Sequence, residues 1–75
     1  MPRSPETMAR VGMMLYGPHW KLPLADVLDV STVTMNRWAN GKRPIPDTVW
    51  KELRSLCTIR GMELAQLAVE CAPRL

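Results

Sequence analysis

The sequence predicts a compact all-α domain of four to five helices spanning residues 1–75, and three observations support that fold class. Helix-capping residues recur along the chain, and no stretch alternates apolar and polar residues between hairpin turns. The 75 residues suffice for one small domain. A hydrophobic fraction of 47% favours a folded chain over a disordered one.

The first helix is predicted from the residues at its two ends. Ser4 supplies an N-cap, Pro5 a first-turn proline and Glu6 a first-turn acid. Apolar residues follow at helical spacing, and Gly17-Pro18 ends the helix.

The second and third helices are predicted to be short. The second is expected to begin at Pro23, and the third to span residues 32–40. Ser31 is the natural N-cap of the third helix, and Gly41 the left-handed residue that follows it. Prolines in residues 42–46 then require a stiff loop.

The C-terminal third of the chain is predicted to be helical from about residue 47. Gly61 leaves two alternatives, one helix running through it or a break followed by a fifth helix over residues 62–72. A break is favoured because glycine costs roughly 1 kcal/mol inside a helix. Sulfur-containing side chains are expected to fill the small core: Met8, Met13, Met14, Met35, Cys57 and Cys71.

The composition excludes several function classes. Two cysteines and one histidine are too few for a four-ligand zinc site or a disulfide framework, so no metal or cofactor is expected. No secretory leader or membrane-length apolar run is recognisable, and we expect a cytoplasmic protein without a membrane partner. Without a glycine-rich phosphate loop or a nucleophile–base spacing, no enzymatic activity is expected.

Two of the predicted helices are joined by only three residues, Asp29-Val30-Ser31. So short a connection is typical of a helix-turn-helix, whose second helix enters the major groove of DNA. The apolar pattern fits that geometry, with Val30 filling the turn. The inner faces of the two helices would carry Leu24, Ala25, Leu28, Met35 and Trp38.

The outer face of the second of these helices carries side chains of the types that read bases: Thr32, Val33, Asn36, Arg37 and Asn40. Arginine pairs with guanine, asparagine with adenine, and threonine or valine contacts the thymine methyl group. Lys42 and Arg43 follow as expected phosphate contacts, and residues 30–45 contain no acid. The alternative is a solvated helix arginine with a basic pair that complements the helix dipole.

Part of this segment has the residue pattern of a known family: Leu24, Ala25, Leu28, Val30, Ser31, Arg37, Trp38 and Gly41. With the proline-bearing loop, it resembles the Cro/CI-type (lambda-repressor-like, XRE-type) helix-turn-helix family over roughly residues 20–46. The resemblance implies a usually dimeric domain that represses transcription from a pseudo-palindromic operator. It adds Lys21 and Ser31 as phosphate contacts, and Asp29 stands where the family usually has glycine.

The C-terminal segment, residues 62–72, carries more apolar surface than one small core can cover. Leu64, Leu67, Ala68 and Cys71 line one face of it, and further apolar residues widen that face. We expect a dimer interface there. The alternative is a tail that folds back and closes the core of its own chain.

These features together predict a sequence-specific regulator of transcription that binds double-stranded DNA. The expected form is a dimeric repressor that reads an inverted repeat, autoregulates a small phage or mobile-element operon, and is nucleoid-associated when bound. No small-molecule effector is predicted, since the chain has no room for an effector domain. The alternative is an antitoxin-like or adapter module that binds a protein partner through its apolar C-terminal helix.

Overall fold

The computed structural model describes residues 3–73, which contain four helices. They are α1 (Pro5–Tyr16), α2 (Lys21–Val27), α3 (Thr32–Ala39) and α4 (Asp47–Glu70). Residues 3–73 contain no strand, and the predicted all-α class is confirmed. Of the predicted domain span, residues 1, 2, 74 and 75 lie outside the described part.

Helix α1 begins and ends where its sequence predicts. The Ser4 side chain accepts a hydrogen bond of 3.3 Å from the backbone N–H of Thr7, with Pro5 in the first turn. Gly17 follows the last helical residue with φ 82°, a conformation that glycine adopts without a steric penalty. Arg3, just before the helix, forms an ion pair with Asp47 at the start of α4.

The core contains one fully buried side chain from each helix. Met8, Leu24 and Met35 are 0% exposed, and Leu53 is 2% exposed. Helix α1 packs against each of the other three helices, and α2 also packs against α3. The other buried apolar residues join the same cluster: Trp20, Ala25, Leu28, Trp38 and Val49.

Gly12 of α1 lies directly against the ring of Trp20, the residue that precedes α2. A Cβ atom built on Gly12 would lie 2.4 Å from Cε3 of the Trp20 ring. Real Cβ atoms do not come this close to carbon, so only glycine fits. The Trp20 ring is thereby buried against the backbone of α1, with 6% of its surface exposed.

Gly12→Ala is therefore expected to lower the free energy of unfolding by about 1–3 kcal/mol, because the new methyl group must displace the Trp20 ring. Urea unfolding followed by tryptophan fluorescence measures the change. Met13→Ala in the same helix is the control, since Met13 is 54% exposed and its truncation should have little effect. Unchanged stability of Gly12→Ala would contradict this packing.

The favoured break at Gly61 is wrong, because α4 runs through it without interruption from Asp47 to Glu70. A break would leave up to four N–H and four C=O groups without helical partners at the two new ends. That loss outweighs the roughly 1 kcal/mol that glycine costs in a helix interior. The alternative of one long helix is the observed one.

The second half of α4 extends beyond the rest of the fold. Helix α4 has 24 residues and α1 has 12, so α4 outruns the helix it packs on by about 18 Å. The described chain measures 54 × 24 × 19 Å, and every residue from 57 to 70 is exposed. We call residues 57–70 the α4 arm.

Three details of the sequence interpretation are corrected. Cys57 and Cys71 are exposed rather than buried, because Cys57 lies on the wall of an open groove beside α1 and Cys71 follows the last residue of α4. Met13 and Met14 are 54% and 86% exposed, since the face of α1 that packs inward is the one with Gly12. Helix α2 begins at Lys21, two residues before Pro23. Proline is tolerated there because N–H groups of the first turn have no helical partner.

Candidate nucleic-acid interface

A tight turn sets the angle between α2 and α3. It spans residues 28–31, and the backbone N–H of Val30 donates a 2.9 Å hydrogen bond to the C=O of Ala25. Asp29 has φ 56°, the left-handed conformation that its position in the turn requires. Aspartate adopts this conformation more readily than most residues, so the turn forms without glycine.

The side of α3 that faces α2 is closed by apolar packing. Ala25 is 2% exposed, and its small side chain lets the two helices approach closely. Met35 and Trp38 are 0% and 4% exposed on the inner side of α3. The Trp38 indole N–H has no hydrogen-bond partner within residues 3–73, so packing alone holds the ring.

Both ends of α3 are capped as the sequence predicts. The Ser31 side chain accepts a 3.1 Å hydrogen bond from the backbone N–H of Thr34 and donates one of 3.0 Å to its hydroxyl group. After α3, Gly41 has φ 71°. The backbone N–H groups of Gly41 and Lys42 donate to the C=O groups of Trp38 and Arg37, the pattern of a Schellman cap.

The five side chains predicted to read bases are all exposed on α3 or at its C-terminal end: Thr32, Val33, Asn36, Arg37 and Asn40. At 100° per residue they occupy an arc of about 140°, opposite the buried residues. Val33 is 56% exposed, so its methyl groups face solvent on an otherwise polar surface. We call these five residues the α3 outer face.

The predicted phosphate contacts are all exposed, one at the start of α2 and three next to the ends of α3. Lys21 is exposed at the start of α2, with Nζ 6.0 Å from the centroid of the Trp20 ring. Ser31 is exposed at the start of α3, and Lys42 and Arg43 are exposed just after its end. All four side chains are accessible to solvent.

Acidic residues near this surface, among them Asp26 and Asp47, weaken its positive charge. Asp26 on α2 lines a shallow groove together with Ser31 and Thr32. Asp47 lines another groove together with Arg43 and is paired with Arg3. The sequence interpretation missed Asp26 because it considered acids only between residues 30 and 45. The helical spacing of α2, which buries Ala25 and turns Asp26 outward, is the sequence signal that could have identified Asp26.

The residues predicted for a dimer interface all lie on the α4 arm or just after it. Leu64 and Leu67 are 58% and 54% exposed, and Ala68 and Cys71 are exposed with them. Their positions span an arc of about 100° on the helix. The alternative that this tail folds back onto its own core is wrong, because the arm points away from it.

Comparisons with known proteins add no further information on the site. A scan against protein-family models found no match, and neither the curated proteins nor the solved structures compared with the chain matched it. Within residues 3–73, no three His, Cys, Asp or Glu side chains come together as metal ligands. In the same span, none of the helices combines the length and hydropathy that crossing a bilayer requires.

The left-handed turn residue provides a test of the α2–α3 geometry. Asp29→Gly is expected to raise the free energy of unfolding by about 0.5–1 kcal/mol, because glycine adopts positive φ without strain. Asp26→Gly removes the same charge from a helical position and is expected to lower the free energy of unfolding by about 0.3 kcal/mol, the difference in helix propensity between Asp and Gly. Urea unfolding measures both values. A loss of stability in Asp29→Gly would contradict the strained turn.

Proposed function

We propose that this chain is a sequence-specific regulator of transcription that binds double-stranded DNA through the α3 outer face. The observation that carries the proposal is the composition of that face. Its exposed residues are hydrogen-bonding or methyl-bearing, include a cation and contain no acid, while the opposite side of α3 is fully packed. The form proposed is a dimeric repressor that reads an inverted repeat.

The dimensions and chemistry of α3 suit the major groove. An α-helix with its side chains is about 10–12 Å across, and the major groove of B-DNA, about 12 Å wide, admits one helix. Arg37 would pair with guanine O6 and N7, and Asn36 or Asn40 with adenine N6 and N7. Val33 and the Thr32 methyl group suit thymine.

Phosphate contacts would orient α3 in the groove. Lys42 and Arg43 follow the helix and Lys21 and Ser31 precede it, all four exposed, so donors would be available before and after α3. These contacts add affinity without sequence preference and make binding dependent on salt. Asp26 beside Ser31 reduces the attraction for phosphate at that end.

Arg37→Ala is expected to weaken binding to the preferred duplex by about 1–3 kcal/mol and to relax the preference at one base pair. The duplex is first selected from a random library with the wild-type chain, and titrations at about 0.15 M salt then compare it with a scrambled duplex. Arg54→Ala on α4 is the matched control and should bind as wild type does. Equal loss of affinity for both duplexes would make Arg37 a phosphate contact.

Lys42→Ala is expected to weaken binding to every duplex alike and to reduce the slope of log affinity against log salt by about one. The slope is measured by titration at several salt concentrations. Lys51→Ala, which removes the same charge from α4, should leave the slope unchanged. A slope that is identical in both variants would exclude Lys42 from the phosphate contacts.

An antitoxin-like or adapter module is the second candidate function, favoured by the exposed apolar surface of the α4 arm. Such a module would bind its protein partner through the arm, with DNA binding secondary or absent. Selection from the random library separates the two candidates. A library that yields no preferred duplex favours the module, and a preferred duplex that is lost in Arg37→Ala favours the regulator.

A further inference from the structure

An apolar groove runs between α1 and the beginning of the α4 arm. It has a volume of about 420 Å³, and its lining includes Val11 and Leu15 from α1 and Gly61 and Leu64 from α4. Beyond the end of this groove, the same face of α4 continues without any covering helix. The groove and the uncovered end of the arm are therefore adjoining parts of one apolar surface.

No contact within residues 3–73 requires a glycine at position 61 on the groove wall. A Cβ atom at this position would meet nothing within 4 Å, and the backbone there is helical. Any other ordinary residue would stabilise the helix by up to about 1 kcal/mol. A glycine in this setting fits a second helix that packs closely on α4 at residue 61, because close helix packing requires small residues at the crossing.

The groove and the C-terminal part of the arm carry charges of opposite sign. The groove is lined by two cations, Arg10 and Arg60, and by no acid. From residue 61 to residue 73 the chain carries two acids, Glu63 and Glu70, and no cation. Glu63 lies 3.8 Å from Arg60 of its own chain, whereas Glu70 makes no ion pair within the described residues. The end of one arm therefore has the charge that the groove of another copy attracts.

We propose that the α4 arm docks antiparallel onto a second copy of this chain, so that each arm lies in the groove between α1 and α4 of the other. This interface rests on the proposed function, whose dimer it describes. It assigns the surfaces that pair and the direction in which they pair. A parallel pair would set Arg60 beside the partner's Arg60 and Glu70 beside the partner's Glu70. An antiparallel pair joins opposite charges instead.

The register follows from the small residues and the charges. A two-fold axis that crosses the arm between Leu64 and Ala65 sets Gly61 opposite the partner's Ala68, two small residues in one layer. The same axis brings Glu70 within one residue of the partner's Arg60. It also brings Cys57 within one residue of the partner's Cys71. Both cysteines are exposed, so these thiols report directly on the pairing.

Sedimentation of variants tests whether the surface is used. Gly61→Gln should weaken dimerisation roughly tenfold or more, because the long side chain blocks the close approach of the second helix. Its melting temperature as a dilute monomer should not fall, since the position is open and glutamine favours helix. Ser55→Gln, exposed about 120° away around α4, is the matched control and should dimerise as wild type does. A monomeric wild type, or a Gly61→Gln chain that dimerises normally, overturns the proposal.

Cysteine crosslinking tests the direction of pairing. Diamide oxidises two thiols to a disulfide and takes up their two hydrogens. The two cysteines of one chain are about 21 Å apart along α4, which is too far for a disulfide within the chain. Antiparallel pairing predicts a wild-type dimer linked Cys57 to Cys71, and no crosslink in Cys57→Ser or Cys71→Ser alone. A mixture of these two variants should form one crosslink again. Crosslinking of either single variant by itself, or none in the wild type, overturns the antiparallel register.

Both experiments are done without DNA, so the two proposals fail separately. A chain that gives the expected crosslinks but selects no duplex from a random library contradicts the proposed function and leaves the interface standing. A chain that selects an inverted repeat but does not crosslink in this pattern contradicts the interface alone.

Discussion

The packing of Met8, Leu24, Met35 and Leu53 is the constraint on which the rest of the structure depends. Each helix contributes one of these side chains, and all four belong to one buried apolar cluster. So small a core fixes the rotation of every helix about its own axis. For α3, burial of Met35 and Trp38 turns the opposite side of the helix, with its threonine, asparagine and arginine side chains, toward solvent.

The same constraint separates the chain into a packed body and an uncovered arm. Helix α1 contacts all three other helices, and its 12 residues set the length of α4 that is covered. The remaining turns of α4 have apolar side chains that no helix within residues 3–73 covers. A polar α3 surface at one place and an apolar α4 surface at another suit a protein that binds DNA and pairs with a second copy through different elements.

Most of the fold is predictable from local signals in the sequence. Ser4, Gly17, Ser31 and Gly41 mark helix ends through backbone geometry that each residue type favours by itself, and the structure has those ends. The exposure of Cys57 and Cys71 is not predictable in this way, because it depends on where α1 ends beside α4. Continuity through Gly61 is likewise a balance between propensity and unsatisfied backbone groups, which glycine alone does not decide.

Mapping of amide chemical shifts on the labelled protein tests most directly whether the α3 outer face reads DNA. The selected duplex and its scrambled counterpart are added in turn at about 0.15 M salt. The largest changes are expected at Thr32, Val33, Asn36, Arg37 and Asn40, with the selected duplex only, while Lys42 and Arg43 respond to both. Changes of equal size with both duplexes, or changes confined to α4, would contradict the central claim.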